Sequence, residues 1–514
     1  MKKSYTLNYL KIYTWQALSV VIGFLALFIV VPKLTSTRAL YGIYSICMSI
    51  TIFAVYADIG FLGAGYKYAS EKFAGNDLLE EIRIIGFVSF ILSVFVALLS
   101  LAMLIFAINP RLLIKGLSTP REIDIASKLL FTLAIFSPLI IAQRICQMVF
   151  GIRLEDYIYQ RVTIIANLLR ISSVFYFFRK DVYDVVGYFL FFQLMGLAAG
   201  IANLIIIKNR YHYDLRLLLR SFRFSSEIFD RTKKLALGSF FATLIFILYY
   251  EMDVFAIGKF SGVEMAGFYA VGLTIANFFR SISGTIYAPF SARFNHFMGI
   301  NDVTGLREIL YSVIVLTIPL IVFPITSAVL LMKPIILCWV GVNYSSSIVV
   351  AQFLLIGFIY NFLTQPASAL ITAQARVKVM FLSSIAVFII YWIGVLATFR
   401  YMGILSFAVF KFVTFTVSAA FFFTLIARFL FVKPAALLKE IIIPMIIPLL
   451  FLVVVLLCIA PLMPSVKSKG GLALVIISGG FASFLATCVY YLFSGHFRGY
   501  INSLFLKIVK VRLA

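Results

Sequence analysis

The chain has 514 residues, of which 63% are hydrophobic and 12% are charged, and its formal net charge is +24. Soluble domains run to about 45–50% apolar and about 25% charged residues, so this composition excludes a soluble globular protein. The excess of positive charge lies in short gaps between apolar runs. This distribution favours anionic membrane lipids as partners, and we predict that the chain does not bind nucleic acid.

Fourteen apolar runs follow one another along the chain, and their lengths suit transmembrane helices of about 20 residues. We therefore predict an all-α integral membrane protein with about 14 transmembrane helices. Prolines within several runs, Pro138 among them, are expected to bend those helices. The predicted spans lie at about residues 18–31, 41–62, 84–108, 129–150, 162–178, 185–207, 235–257, 266–289, 309–331, 348–370, 380–399, 404–431, 441–461 and 472–493.

The most basic gap, residues 208–234, separates two sets of six predicted spans. We predict an N-terminal six-helix lobe over residues 1–207, a basic cytoplasmic linker over 208–234, a C-terminal six-helix lobe over 235–431, and two further helices with a cytoplasmic tail over 432–514. Gly42-Ile43-Tyr44 at the start of the second span is echoed by Gly267-Phe268-Tyr269 at the start of the eighth. Repeated halves of this kind are common in transporters.

An even number of spans places both termini on one side of the membrane. The gaps on the side of the termini hold roughly twice as many Lys and Arg residues as the opposite gaps, which predicts cytoplasmic termini. The basic residues that precede the first run lack a following cleavage site of small residues, so this run is interpreted as a retained span.

Four basic residues lie deep inside predicted spans, where a charge costs a few kcal/mol and usually faces a polar interior. Their side chains either reach the membrane surface or line a cavity with an anionic occupant, for which phosphate or pyrophosphate is the natural match. Arg170 is about 12 Å from either end of its span at about 1.5 Å per residue. The candidate substrate-binding residues are Arg144, Arg170, Arg280 and Lys411.

Three acids lie close to the ends of predicted spans. They are either interfacial acids or groups that bind a coupling H+ or Na+. Residues two apart on a helix point in nearly opposite directions, so at most one of the latter two is expected to face a lumen. The candidates are Asp58, Glu251 and Asp253.

Catalytic and metal-binding patterns are missing from the sequence. The three histidines lie in separate gaps, the five cysteines lack metal-ligand spacing, and no nucleotide-binding glycine loop is present. The sequence therefore predicts no cofactor, no metal site and no enzymatic activity.

Short matches at three places resemble the Wzx-like polysaccharide flippases of the multidrug/oligosaccharidyl-lipid/polysaccharide (MOP) exporter superfamily, and the likeness in architecture extends over nearly the whole chain. The matches are Asp58-Ile59-Gly60 with Ala64 and Tyr68-Ala69, Asp253 with Gly267-Phe268-Tyr269, and Ala373-Gln374-Ala375-Arg376-Val377-Lys378.

The resemblance implies alternating access between two six-helix lobes in the bacterial plasma (inner) membrane. It implies a lipid-linked substrate, an undecaprenyl-pyrophosphate-linked oligosaccharide for O-antigen, lipopolysaccharide, capsule or exopolysaccharide, that moves from the inner to the outer leaflet. A cationic cavity would hold the pyrophosphate, and H+ or Na+ would drive transport. Other polysaccharide-assembly proteins are candidate partners.

Two alternatives stay open from the sequence. A cation-coupled multidrug antiporter of the same superfamily has two six-helix lobes, although such proteins usually carry acids in the cavity and lack the last two spans. A membrane polysaccharide polymerase or ligase would need a large outer loop, whereas the longest outer gap here covers only residues 109–128.

Overall fold

The computed structural model of the chain describes residues 2–55, 60–179, 182–374 and 376–503, and it is helical almost throughout. The only sheet among these residues is a two-stranded antiparallel hairpin, β1 (Phe178–Arg179) and β2 (Val182–Tyr183). The prediction of an all-α fold is confirmed.

The chain divides into two compact units, residues 1–270 (unit 1) and 271–514 (unit 2). The predicted lobe boundaries at 207, 234 and 431 stay a prediction. The described residues of unit 1 form eleven α-helices and the start of a twelfth: α1 (Lys2–Leu34), α2 (Arg38–Val55), α3 (Phe61–Ala74), α4 (Leu78–Ile108), α5 (Pro120–Phe136), α6 (Leu139–Ile152), α7 (Asp156–Phe177), α8 (Val185–Tyr211), α9 (Leu215–Arg220), α10 (Ser226–Tyr250), α11 (Asp253–Phe260) and α12 (Val263–Gly299).

Unit 2 contains the rest of α12 and the helices that follow it. A 3₁₀ segment, Gly357–Tyr360, joins two of these helices, and a π-helical turn, Leu438–Ile442, joins two others. The α-helices are α13 (Val303–Leu330), α14 (Met332–Trp339), α15 (Ser347–Ile356), α16 (Asn361–Ala373), α17 (Val377–Met402), α18 (Leu405–Leu430), α19 (Pro434–Leu437), α20 (Ile443–Ile459) and α21 (Lys469–Phe493).

Several helices begin at polar side chains that accept hydrogen bonds from the first free backbone N–H groups. Asp77, Asp184 and Asp302 cap α4, α8 and α13 in this way, and Thr119 forms a capping box with Glu122 at the start of α5. Such caps stabilise a helix start by about 1 kcal/mol.

Nine helices in the described part of the chain are long and apolar enough to cross a membrane, or ten if α5 and α6 form one bent span. Each of the fourteen predicted spans overlaps one or two of the helices given above, and residues 56–59 of the second predicted span lie outside the described residues. Their number and composition make the chain a multi-pass membrane protein.

Some predicted spans are interrupted. The helix axis bends by 44° between α5 and α6, where Pro138 stands, as expected from the loss of a backbone donor at proline. The predicted span 235–257 is also broken, because α10 ends at Tyr250 and α11 begins at Asp253.

Candidate functional site

Arg170 lies on α7, an apolar helix whose first turn carries Asp156, an acid that suits the positive end of the helix dipole. The arginine is about two turns from the C-terminal end of α7 and is half-buried. Its charge therefore stands well inside the helical bundle of unit 1.

The Arg170 guanidinium is held by two neighbouring helices. Nε donates to the Phe192 carbonyl on α8 at 3.1 Å, and Nη1 donates to Asn167 Oδ1 on α7 at 2.9 Å. The guanidinium carbon lies 3.8 Å from the centre of the Phe192 ring, a cation–π contact. An arginine has five N–H donors, so three remain without a partner among the described residues.

Gly196 makes room for this arrangement. A Cβ atom at this position would lie 2.9 Å from Arg170 Nη2 and 3.6 Å from the amide nitrogen of Gln143. The glycine thus allows α8 to approach the arginine and the glutamine closely, as small residues do between membrane helices.

A cavity of about 160 Å³ opens beside the guanidinium. Its walls come from α2, α4, α5, α6, α7 and α8 and are mostly apolar, with Gln143, Gln193, Thr51 and Ser137 as further polar groups. Among the described residues that line it, Arg170 carries the only charge. At about 30 Å³ per water the cavity has room for about five waters, which is enough for one phosphate group.

The two glutamines leave their amides available. Neither Gln143 nor Gln193 hydrogen-bonds to another residue in the described part of the chain. An amide offers two donors and an acceptor, a set that suits sugar hydroxyls as well as phosphate oxygens. The cavity therefore combines one cation with two amides and suits a small anionic or hydroxylated group.

Arg144 lies on α6, next to Gln143. Its Nη1 donates to Gln147 Oε1 at 2.7 Å, and Gln147 Nε2 donates to the Tyr159 hydroxyl at 3.2 Å. Tyr159 interacts electrostatically with both Arg144 and Arg170. The structure thus brings Arg144 and Arg170 into the same part of unit 1.

Arg280 and Lys411 belong to unit 2. Arg280 is half-buried and stands one turn before Ser283, which accepts a hydrogen bond from Asn361 Nδ2 at 3.3 Å. Lys411 is only 3% exposed, and its ammonium lies 5.9 Å from the centre of the Tyr391 ring. The assignment of Arg144, Arg170, Arg280 and Lys411 as substrate-binding residues stays a prediction.

Asp58 lies outside the described residues. Glu251 and Asp253 are both buried, and Asp253 accepts a hydrogen bond from the Tyr269 hydroxyl. The backbone turns between Tyr250 and Asp253, so the two acids do not lie on one continuous helix. The expectation that at most one of them faces a lumen stays a prediction. Asp253 opens α11, where a carboxylate suits the helix N-terminus.

The sequence analysis missed the two glutamines and the glycine of the cavity. The sequence does indicate the glutamines, because Gln143 and Gln193 are polar residues within long apolar runs. Arg170 stands out in its own apolar run for the same reason. Only ionisable residues were predicted as site residues, but burial of an amide without a hydrogen bond in an apolar medium also costs free energy.

A bundle of long apolar helices that encloses a cationic polar cavity is the architecture of a multi-span membrane protein. Comparison with solved structures identifies the fold: it is similar to the fold of MOP superfamily transporters. No protein-family model and no curated protein sequence matches the chain.

Three of the similar structures illustrate the likeness. The lipid II flippase MurJ, in an inward closed conformation, superposes with a TM-score of 0.63 at 14% identity, over 88% of this chain and 97% of that one. An inward-facing multidrug resistance MATE family transporter gives 0.62 at 13% identity, over 81% and 94%. A MOP superfamily transporter from Pyrococcus furiosus Vc1 (DSM3638), whose binding pocket is described as of reverse polarity, gives 0.50 at 15% identity, over 82% and 95%.

Proposed function

We propose that the chain is a flippase that moves undecaprenyl-pyrophosphate-linked oligosaccharides from the inner to the outer leaflet of a bacterial plasma membrane. Its termini lie in the cytoplasm, it catalyses no covalent chemistry, and it works by alternating access between two six-helix lobes. Arg144, Arg170, Arg280 and Lys411 hold the pyrophosphate and the sugars next to it.

The observation that carries this proposal is the Arg170 cavity. Three guanidinium N–H groups and the amides of Gln143 and Gln193 stand unengaged at a site whose described lining residues include no acid. A cation without a carboxylate partner in such surroundings is stabilised when an anion binds. Guanidinium N–H groups match phosphate oxygens, and amides match sugar hydroxyls.

The fold agrees with this proposal, because one similar structure is a flippase of lipid II. A second candidate is a cation-coupled multidrug antiporter. It is favoured by the buried acids Glu251 and Asp253 and by the similarity to multidrug resistance MATE transporters. In the flippase, the same two acids are the residues that take up a coupling H+ or Na+.

The fate of the lipid-linked oligosaccharide in a deletion strain separates these candidates. A flippase predicts loss of surface glycan and accumulation of undecaprenyl-pyrophosphate-sugar on the cytoplasmic leaflet. Normal glycan export with a changed sensitivity to cationic drugs would instead establish the antiporter. Single repeat units stranded on the outer leaflet would indicate a polymerase or ligase.

Arginine variants test the cavity. We expect Arg170→Ala to abolish complementation of the deletion strain, because the loss of two charge-assisted hydrogen bonds weakens binding about a hundredfold or more. Arg280→Ala is expected to do the same, and Arg170→Lys should rescue only in part because it lacks the planar fork. Surface glycan and membrane protein level are measured together.

Matched variants control for folding. Gly196→Ala should reduce transport by displacing the guanidinium without removing its charge, whereas Gly480→Ala, whose Cβ meets no atom within 4 Å, should not. Arg161→Ala replaces an exposed arginine on the same helix and should leave transport intact. Normal transport in both Arg170→Ala and Arg280→Ala would refute the cationic cavity.

A further inference from the structure

A second cavity, of about 290 Å³, lies at one end of unit 2, where α13 and α20 begin and α18 and α21 end. It is lined by α13, by the segment between α18 and α20, and by the helical residues 495–503. In the predicted orientation, with both termini in the cytoplasm, this end lies at the cytoplasmic leaflet. The cavity is separate from the four cations proposed to bind the transported substrate.

Arg307 forms the basic side of this cavity. Its Nε donates to the Phe429 carbonyl at 3.0 Å, and its guanidinium carbon lies 4.1 Å from the centre of the Phe431 ring. The two Nη nitrogens make no hydrogen bond to another described residue. Backbone and ring therefore fix the guanidinium while its outer edge remains available to an anion such as a phosphate.

Tyr311 stands one turn along α13 from Arg307 and also lines the cavity. Its hydroxyl is buried without a hydrogen-bond partner in the described part of the chain, and its ring packs edge-on against His496 at 5.1 Å. The Glu440 carboxylate interacts electrostatically with Tyr311. Glu440 and Glu308 give the cavity an acidic side next to these aromatic rings.

Glu440 owes its position to an unusual turn. Leu438–Ile442 is wound as a π-helix, and Pro444, one turn later, has no N–H group to donate to the Glu440 carbonyl. Single π-helical turns are rare and occur often at functional sites. The widened turn presents an exposed carboxylate just before α20 begins.

We propose that this cavity binds the headgroup of a phospholipid that carries a primary ammonium, as in phosphatidylethanolamine. The phosphate pairs with the free edge of Arg307. The ammonium donates to Glu440 and Glu308 and lies against the rings of Tyr311 and His496. A basic and an acidic side together fit a zwitterion better than an anion, and at about 30 Å³ per water the volume equals about ten waters, enough for this headgroup.

Native mass spectrometry of the purified full chain tests the proposal with three defined probes. The protein is equilibrated with equal amounts of phosphatidylethanolamine, phosphatidylcholine and phosphatidylglycerol, and the bound lipids are counted. We expect preferential retention of phosphatidylethanolamine, because the quaternary ammonium of phosphatidylcholine cannot donate hydrogen bonds and phosphatidylglycerol has no ammonium.

Two variants locate the bound lipid. Arg307→Gln and Glu440→Gln should each lower the retention of phosphatidylethanolamine about tenfold, as expected for the loss of a charge-assisted contact. Glu440 is exposed, so its variant is expected to fold even if Arg307→Gln does not. Arg428→Gln, at the same end of α18 but outside the cavity, is the matched control and should retain the lipid.

Equal retention of the three lipids, or unchanged retention in Glu440→Gln, would overturn the proposal. Preference for phosphatidylglycerol that is lost only in Arg307→Gln would also overturn it and indicate an anion site. Because no transported substrate is present, the result is independent of the proposed flippase function.

Discussion

At the scale of single residues, the best-defined charges are two arginine–carboxylate pairs at one end of unit 1. Arg153 meets Glu81 with both nitrogens, at 2.9 and 3.1 Å, and the two side chains are only 7% and 0% exposed. The rings of Phe73 and Tyr211 lie 4.7 and 4.8 Å from the same guanidinium. The pair thus joins α4 to the turn after α6.

The second pair is built on Glu155, in the turn between α6 and α7. Arg210, at the end of α8, donates to both of its oxygens, at 3.0 and 2.7 Å, and the Tyr211 hydroxyl donates to it as well. Burial raises the pKa of the Glu155 carboxyl, but the hydrogen bonds from Arg210 and Tyr211 outweigh burial and hold this pKa below its usual value. Arg210, which contributes to the positive charge of residues 208–234, therefore also joins the end of α8 to the turn between α6 and α7.

Removal of one partner from the buried pair should be costly. We expect Arg153→Met to lower the free energy of unfolding by about 3–5 kcal/mol, because it leaves the Glu81 carboxylate buried without a counter-charge. The double variant Arg153→Met/Glu81→Leu should be closer to wild type. Thermal or denaturant unfolding in detergent measures both.

The exposed pair Lys128–Asp124 is the matched control for this comparison, since its nitrogen and oxygen are 2.6 Å apart but both side chains are more than half exposed. Lys128→Met should cost about 0–1 kcal/mol. Equal losses in Arg153→Met and Lys128→Met would mean that burial does not decide the strength of the pair.

Sequence reasoning at this scale could find charges but not their partners. Arg144, Arg170, Arg280 and Lys411 were recognisable because each interrupts an apolar run. Their contacts depend on other helices, as the Phe192 carbonyl on α8 shows for Arg170. Which helices become neighbours is a property of the packed chain, so these contacts could not be read from spacing.

At the scale of helices, α2 and α12 approach each other through two glycines at matching positions. A Cβ on Gly42 would lie 1.9 Å from the carbonyl oxygen of Val263, the first residue of α12. A Cβ on Gly267 would lie 3.2 Å from the carbonyl oxygen of Arg38, the first residue of α2. The same Cβ on Gly267 would lie 3.5 Å from the Gly42 nitrogen, so the two repeated segments of the sequence, 42–44 and 267–269, pack against each other.

Enlargement of these glycines should destabilise this contact to different degrees. We expect Gly42→Ala to lower stability by about 1–3 kcal/mol, because the backbone of α12 must move to admit a methyl group. Gly267→Ala should cost less, since its neighbour needs to shift by only a few tenths of an ångström. The melting temperatures of the purified variants show which substitution lowers stability more.

Gly23→Ala is the control, because a Cβ at this position meets nothing within 4 Å. Alanine also has the higher helix propensity, so this variant should be as stable as wild type or slightly more stable. If Gly42→Ala melted at the same temperature as Gly23→Ala, the close approach of the two helices would be refuted.

The sequence predicted where the helices lie better than it predicted where they are interrupted. Apolar runs predicted where helices lie, and Pro138 marked one bend by its missing N–H group. The break after Tyr250 has neither glycine nor proline next to it. It accompanies the burial of Glu251 and Asp253, which is a tertiary effect that helical periodicity does not encode.

At the scale of the whole chain, composition alone was enough to predict a helical membrane protein, because no soluble fold accommodates so many apolar residues. The assignment of lobes needs contacts between distant segments. Residues 208–234, read as a linker, include the end of α8, all of α9 and the start of α10, and Phe224 packs on Phe87 of α4. The assignment of these residues as a linker between lobes stays a prediction.

Distant segments of unit 1 are also tied by backbone hydrogen bonds. Lys115 N–H donates to the Gly258 carbonyl at 3.1 Å, and Val263 N–H donates to the Lys115 carbonyl at 3.2 Å. Gly116 and Gly262 meet at the centre of this seam, each with a positive φ. A Cβ on Gly116 would lie 3.5 Å from the Gly262 Cα, and a Cβ on Gly262 would lie 3.8 Å from the Gly116 Cα.

This seam permits a test of the proposed alternating access, since it joins a segment of the predicted N-terminal lobe to one of the predicted C-terminal lobe. Each Cβ position lies within 4 Å of the other glycine's Cα, so cysteines in Gly116→Cys and Gly262→Cys would be neighbours that an oxidant can cross-link. If the lobes separate here during each cycle, oxidation of the double variant should stop transport and reduction should restore it. The two single variants control for the effect of a side chain at positive φ. Full transport by the oxidised, cross-linked protein would mean that the seam stays closed throughout the cycle and that the lobes move about other contacts.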